Sequence, residues 1–307
     1  MNSLRNARGI CPLRKDSPIV FRQAHFPTSS TRIDSLNTFL HSGDGFFLDA
    51  FGILNVGAHA IPLAKELIAT LRKHQKPFFI VSNSASVPKE VLVNFFRELG
   101  FDFTALEIIT SREVLWHHLL PNSASQWGVI AQNTTLLEHP LPCVDHEDER
   151  FLHSDAFLFL STTTWDEALH VKWKASLHVK PKTIWIANPD ITAPRGNHCF
   201  SKEPGFYTLN EEDHLFEQMR FIGKPFDAIF QYAIQRAHDE WQISKERIVM
   251  MGDTLHTDIL GACAAGLQTL LVEEYGFFAG LDPTPFIEQS GITPQFRLKN
   301  YQTLFNH

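Results

Sequence analysis

The groups in this sequence that could do chemistry stand where apolar runs end. In Ile248-Val249-Met250-Met251-Gly252-Asp253-Thr254-Leu255-His256-Thr257-Asp258, a buried strand would deliver Asp253 into a loop. It would also place Asp258 in the first turn of the next helix, with Thr257 as a candidate N-cap. Two hard oxygen donors held this way suit Mg²⁺, which keeps several waters and takes only a few carboxylates. Complementing the helix dipole would account for Asp258 but leaves Asp253 unexplained. Asp49 closes a second apolar run, Gly45-Phe46-Phe47-Leu48, and opens the turn Asp49-Ala50-Phe51-Gly52. A carboxylate is costly to bury there unpaired; taken alone, it suits a turn or a cap as well as a reactive group. Ser82-Asn83-Ser84 ends a third run, where Ser and Asn also commonly begin turns. Lys224, in Phe221-Ile222-Gly223-Lys224-Pro225, follows a short apolar stretch; a lone lysine in such a place is ordinarily solvated.

These groups need strands to carry them. The run ending at Asp49 does not alternate with polar residues, as expected of a parallel strand buried on both faces. A short amphipathic helix over 33–40, with Leu36, Phe39 and Leu40 on one face, precedes it. A helix over 62–74, opened by Pro62, leads to the strand 77–81, and a helix over 88–99 stops at Gly100. The rhythm returns downstream: a helix over 226–241, a strand over 247–251, a helix over 256–265 and a strand over 268–272. Alternating β and α elements predict a doubly wound α/β fold with a parallel sheet, whose ligands bind beyond the carboxyl ends of the strands. Roughly 100 residues between the halves hold strands of their own at 127–131, 156–160 and 183–187, with helices over 112–120 and 165–177. We therefore expect a leader at 1–35, a first core segment at 36–105, an inserted smaller α/β unit at 106–206 and a second core segment at 207–307.

Composition excludes several function classes. The chain of 307 residues is 44% hydrophobic and 20% charged, as globular proteins are, and its balance of 27 basic and 34 acidic residues gives −7. Without a basic cluster it is not expected to bind nucleic acid or an anionic membrane surface. Cys11, Cys143, Cys199 and Cys263 form no C-x-x-C pair, so free thiols in a reducing cytoplasm are expected rather than a thiolate zinc site. The first residues are polar and broken by Pro12 and Pro18, with no apolar run suited to a signal peptide or membrane span.

Taken together and in order, the four polar signals resemble the haloacid dehalogenase-type hydrolases, in the subfamily (IIA) whose α/β cap is inserted between motifs two and three. Asp49-x-x-Gly52-Ile53-Leu54 is similar to motif one, Ser82-Asn83-Ser84 to motif two, Gly223-Lys224-Pro225 to motif three and Gly252-Asp253-x-x-x-Thr257-Asp258 to motif four. Asn188-Pro189-Asp190, inside the insert, is similar to a loop that many caps of this class share. The resemblance covers about residues 44–305. It implies a Mg²⁺-dependent phosphohydrolase in which Asp49 attacks phosphorus to form an aspartyl-phosphate and Lys224 neutralises charge. Ser82 and Asn83 would hold the phosphoryl group, with Asn188 and Asp190 nearest the rest of the substrate. Asp49, the backbone carbonyl of Phe51 and Asp253 would hold the metal, and Asp258 would orient its waters. The implied partner is a small phosphorylated metabolite; caps of this class often support dimers, so a homodimer is one allowed assembly.

One position departs from the pattern. Family phosphatases usually carry an Asp two residues after the nucleophile as proton donor and then base, whereas this chain has Phe51. Losing such proton transfer typically costs about 10²–10⁴-fold. Turnover should then be slow, or confined to esters with good leaving groups. His59 and His256, neighbours of motifs one and four, are the candidate substitute bases. An aromatic residue at this place also occurs in a subgroup with Ser-Asn-Ser at motif two. The alternatives are a scaffold that binds a phosphorylated ligand without turning it over, and a metal-independent dehalogenase.

Overall fold

Gly45–Leu48 is buried at all four positions, and its alternate side chains enter two different cores. Phe46 and Leu48 join Ile80, Val249 and Met251 on one face, while Phe47 joins Phe79, Val81 and Met250 on the other. That is the reason the sequence shows no polar alternation: both faces of the sheet are covered. The computed structural model describes residues 24–119, 124–132, 137, 141–194, 200–209 and 211–305.

The core is a seven-stranded sheet in the order Thr31–Arg32, Phe296–Leu298, Gln268–Val272, Ile248–Gly252, Gly45–Leu48, Phe78–Ser82, Ile108–Thr110, and every pairing is parallel. Three neighbouring strands, Ile248–Gly252, Gly45–Leu48 and Phe78–Ser82, run into Asp253, Asp49 and Ser82-Asn83 respectively. Parallel pairing puts these ends along one edge, where doubly wound sheets bind ligands. Helices Ala64–Lys73 and Lys89–Glu98 follow the core strands Gly45–Leu48 and Phe78–Ser82 respectively; the second helix ends at Leu99 with Gly100 at φ 85°, a left-handed cap.

A second, five-stranded parallel sheet has the order Met219–Phe221, Thr183–Ile186, Ala156–Phe159, Trp127–Ile130, Cys143–Val144. Around it, Phe157, Phe159, Trp165 and Trp173 build a separate aromatic core. Its edge strand Met219–Phe221 leads straight into Lys224, and the neighbouring strand Thr183–Ile186 leads into Asn188-Pro189-Asp190. The two loops therefore lie side by side.

Three sequence expectations need correction. Ile108–Thr110 belongs to the first sheet and Met219–Phe221 to the second, so by sheet membership the changeovers fall after Thr110 and Phe221, not at 106 and 206. A three-residue strand carries too little pattern to betray which sheet accepts it. Thr31–Arg32, placed in the leader, is a strand paired to Phe296–Leu298, and Ala24 and Phe26 pack against Leu255, Ile259 and Phe278. Finally, the helix after Asp253 begins with a π-helical turn, Leu255–Ile259, entered from Thr254. Thr257 lies inside that turn and is not its cap.

Among the described residues no helix is long and apolar enough to cross a membrane. Cys143 and Cys263 are free thiols; Cys11 and Cys199 lie outside the described residues.

Candidate active site

Lys224 Nζ lies 2.7 Å from Asp49 Oδ1 and 2.7 Å from Asp258 Oδ1. The lysine is 2% exposed, so both pairings form away from solvent. Burial alone would favour the neutral amine. Asp258 and Asp49 outweigh it and hold the ammonium above its ordinary range.

Asp49, Asp253 and Asp258 each offer a carboxylate oxygen within 4.8 Å of the other two. Two ionised carboxylates at such a distance repel by about 3 kcal/mol at an effective dielectric near 20. One lysine against three acids leaves two negative charges uncompensated. The cost falls on the acids: burial, partly offset by Lys224 and reinforced by Asp258, pushes Asp49 up to about 7. Burial, Asp258 and Asp49 hold Asp253 well above the usual carboxylate range. An all-oxygen donor set, buried and short of positive charge, fits a hard divalent cation.

The backbone prepares each acid. Asp49 Oδ1 also accepts the Ala50 N–H at 2.7 Å. Asp253 Oδ2 accepts the Phe277 N–H at 2.6 Å. Asp258 Oδ2 accepts both the hydroxyl (2.8 Å) and the N–H (3.2 Å) of Thr254, so both Asp258 oxygens are engaged by protein donors. Gly52 sits at φ 74°, and a Cβ there would collide with the Asp253 carboxylate. The glycine of the first motif thus makes room for the acid of the fourth.

Ser82 and Asn83 are both buried. Ser82 Oγ accepts the Ser84 N–H at 3.2 Å, which leaves its own hydrogen to donate. Asn83 faces the protein: its Nδ2 donates to Asp190 Oδ1 and to the Lys224 carbonyl, both at 2.9 Å. Asn188 is buried, donates to Glu203 Oε2 at 3.2 Å and accepts the Asp190 N–H at 3.0 Å. Burial, against the Asn83 hydrogen bond, pushes Asp190 up to about 6. The structure brings all eight side chains named from the sequence into one connected region. Their roles divide: Asn83, Asn188 and Asp190 make contacts to protein groups.

Phe51 is half-buried and forms a β-bridge with Asn55. Neither candidate substitute base is ready-made. His59 is exposed on the hairpin Asn55–Val56/His59–Ala60. His256 is half-buried, burial pushes its pKa down, and its Nδ1 is buried without a hydrogen-bond partner among the described residues. Sequence reasoning missed Thr254, Phe277 and Glu203. Thr254 could have been suspected from its place beside Asp253. Phe277 acts through its backbone, and Glu203 through the fold, so neither left a signal.

A family model described as haloacid dehalogenase-like hydrolase matches residues 46–139, and a second, described as HAD-hydrolase-like, matches 221–279. Between them these spans hold Asp49, Ser82, Lys224, Asp253 and Asp258. The chain belongs to the haloacid dehalogenase-like hydrolases. It has the form in which an α/β cap interrupts the core between motifs two and three. The acid sugar phosphatase of Staphylococcus haemolyticus is 25% identical over 234 residues, 75% of this chain and 84% of the relative. The D-glycerol 3-phosphate phosphatase of Mycobacterium tuberculosis is 26% identical over 236 residues, 75% of this chain and 62% of that one. A solved structure from Cytophaga hutchinsonii, described as a possible sugar phosphatase, superposes with TM-score 0.76 at 25% identity. That match covers 87% of this hydrolase and 97% of the other chain.

Proposed function

We propose that this hydrolase cleaves phosphate monoesters of small metabolites with Mg²⁺, through a phosphoryl group held transiently on Asp49. The observation that carries the reading is the shared Lys224 ammonium, 2.7 Å from Asp49 and from Asp258 with Asp253 beside them. Asp49 Oδ1 is held by Lys224 and the Ala50 N–H, which leaves Oδ2 to attack phosphorus. The new O–P bond replaces the ester O–P bond, whose electron pair stays on the leaving oxygen; that oxygen takes a proton from solvent once it is free. Water then hydrolyses the aspartyl-phosphate, releasing phosphate and restoring Asp49. The Ser82 hydroxyl donates to a phosphoryl oxygen, and Lys224 balances charge as it passes from Asp49 to the phosphoryl group.

Asp49, Asp253 and the Phe51 carbonyl would hold the cation, with Asp258, whose two oxygens are taken by Lys224 and Thr254, orienting its waters. When bound, Mg²⁺ supplies the missing positive charge and polarises the phosphoryl oxygens. Phe51 transfers no proton, so turnover is slow or restricted to leaving groups that depart unprotonated. The phosphatase names of the relatives support the reaction class.

A panel of aryl, acyl and alkyl phosphates, assayed with Mg²⁺ and with chelator for wild type and Asp49→Asn, tests the reading. Phosphate release that needs both Mg²⁺ and Asp49 is expected. No release from any ester, with phosphorylated ligands still raising the melting temperature, would establish instead the binding scaffold that Phe51 favours. Metal-independent halide release would point to dehalogenation.

A further inference from the structure

Asn83 and Lys224 are 141 residues apart, yet they pair as two peptide groups would. The Lys224 N–H donates to Asn83 Oδ1 at 2.6 Å, and Asn83 Nδ2 donates to the Lys224 carbonyl at 2.9 Å. The second N–H of the same amide goes to Asp190 Oδ1 at 2.9 Å. Both donors and the acceptor of the carboxamide are therefore used. Asn83 follows the core strand Phe78–Ser82, and Asp190 lies in the loop after the second-sheet strand Thr183–Ile186.

The Asp190 end is firmly seated. Its N–H donates to Asn188 Oδ1 at 3.0 Å, and its carbonyl accepts the Gly205 N–H at 3.0 Å. Asn188 is in turn held by the buried Glu203, whose other oxygen accepts the Ser201 hydroxyl at 2.5 Å. There is no slack between the loops. A Cβ on Gly223 would come within 2.5 Å of both Asn83 Oδ1 and Pro189 Cδ, and one on Gly205 would strike the Pro189 carbonyl.

We propose that Asp190 is a positioning residue: by holding the Asn83 amide, it ties the seat of the cap loop to the backbone of Lys224 and so to the ammonium between Asp49 and Asp258. Removing the carboxylate leaves a buried N–H of Asn83 unpaired and frees the amide to rotate off the Lys224 backbone. The cap then affects chemistry without touching the phosphoryl group. This rests on the proposed phosphohydrolase reaction for its kinetic arm only.

Asp190→Ala is compared with Asp190→Asn, which keeps an acceptor oxygen in place. Two readouts are used: kcat and KM on an aryl phosphate with Mg²⁺, and reductive methylation of Lys224 in the full chain, followed by peptide mass spectrometry. The exposed Lys299, 68% accessible, is the internal standard. For Asp190→Ala we expect kcat about 10- to 100-fold lower with KM within about 2-fold, the size of effect a small displacement of a catalytic group produces. Lys224 methylation should rise several-fold, and Asp190→Asn should restore both. A raised KM with unchanged kcat and methylation would overturn the proposal in favour of a substrate-binding Asp190. If the wild type releases no phosphate from any ester, the phosphohydrolase reading fails, and methylation alone decides: a rise supports the tie, and no change refutes it. Should Asp190→Ala not fold, Asp190→Glu, which shifts the carboxylate by one methylene, is expected to behave in its place.

Discussion

Tyr301 Oη donates a 2.7 Å hydrogen bond to the carbonyl of Ile53, 248 residues earlier in the chain. Tyr301 is fully buried, and Ile53 lies four residues after Asp49 in the turn that presents it. The far C-terminal segment thus braces the first motif. Tyr301→Phe should leave the Ile53 carbonyl buried without its donor, at about 1–3 kcal/mol. A lowered urea midpoint with unchanged slope is the expected result; an unaltered midpoint would mean the carbonyl finds another partner.

Phe51→Asp should restore a proton donor at the leaving group. The gain expected is about 10²–10⁴-fold in kcat on alkyl phosphates, and much less on aryl phosphates, whose oxygen departs readily without a proton. Equal gains on both classes would show that leaving-group protonation is not what Phe51 removes.

Lys224→Met should leave Asp258, which is 0% exposed, and Asp49 without their common counter-charge. Breaking a buried pair from one side costs about 3–5 kcal/mol. Equilibrium unfolding in chelator would measure it, and part of the loss should return when a divalent cation is added.

The metal-free site should make stability fall as pH rises. Asp49 is raised from 3.8 to about 7 in the folded chain, so its folded form binds the proton more tightly than the unfolded form does. Its contribution is fully present below about 4 and is lost as pH rises through about 7. Asp253 is shifted in the same direction and adds to the loss. A divalent cation binds the ionised carboxylates, so the rise in melting temperature on adding Mg²⁺ should be larger at pH 8 than at pH 5. A Mg²⁺ shift that is the same at both values would exclude these acids as the ligands.

Sequence alone was enough to place the long buried strands and the points where they end. Runs such as Gly45–Leu48 and Ile248–Gly252 are apolar on both faces because both faces are covered, and polar residues can appear only where the strand leaves the sheet. Asp49, Ser82 and Asp253 were legible for that reason, and their order around an insert carried the family likeness. Tertiary structure decided what acts across distance. Only the parallel pairing of two neighbouring strands brings Asp49 and Asp253 together, and only the approach of the second sheet makes Asn83 the holder of the Lys224 backbone. The braces from Tyr301, Phe277 and Glu203 are single hydrogen bonds between residues remote in the chain. A single bond has no periodicity and imposes no run of residue types, so nothing in the order of amino acids could announce it.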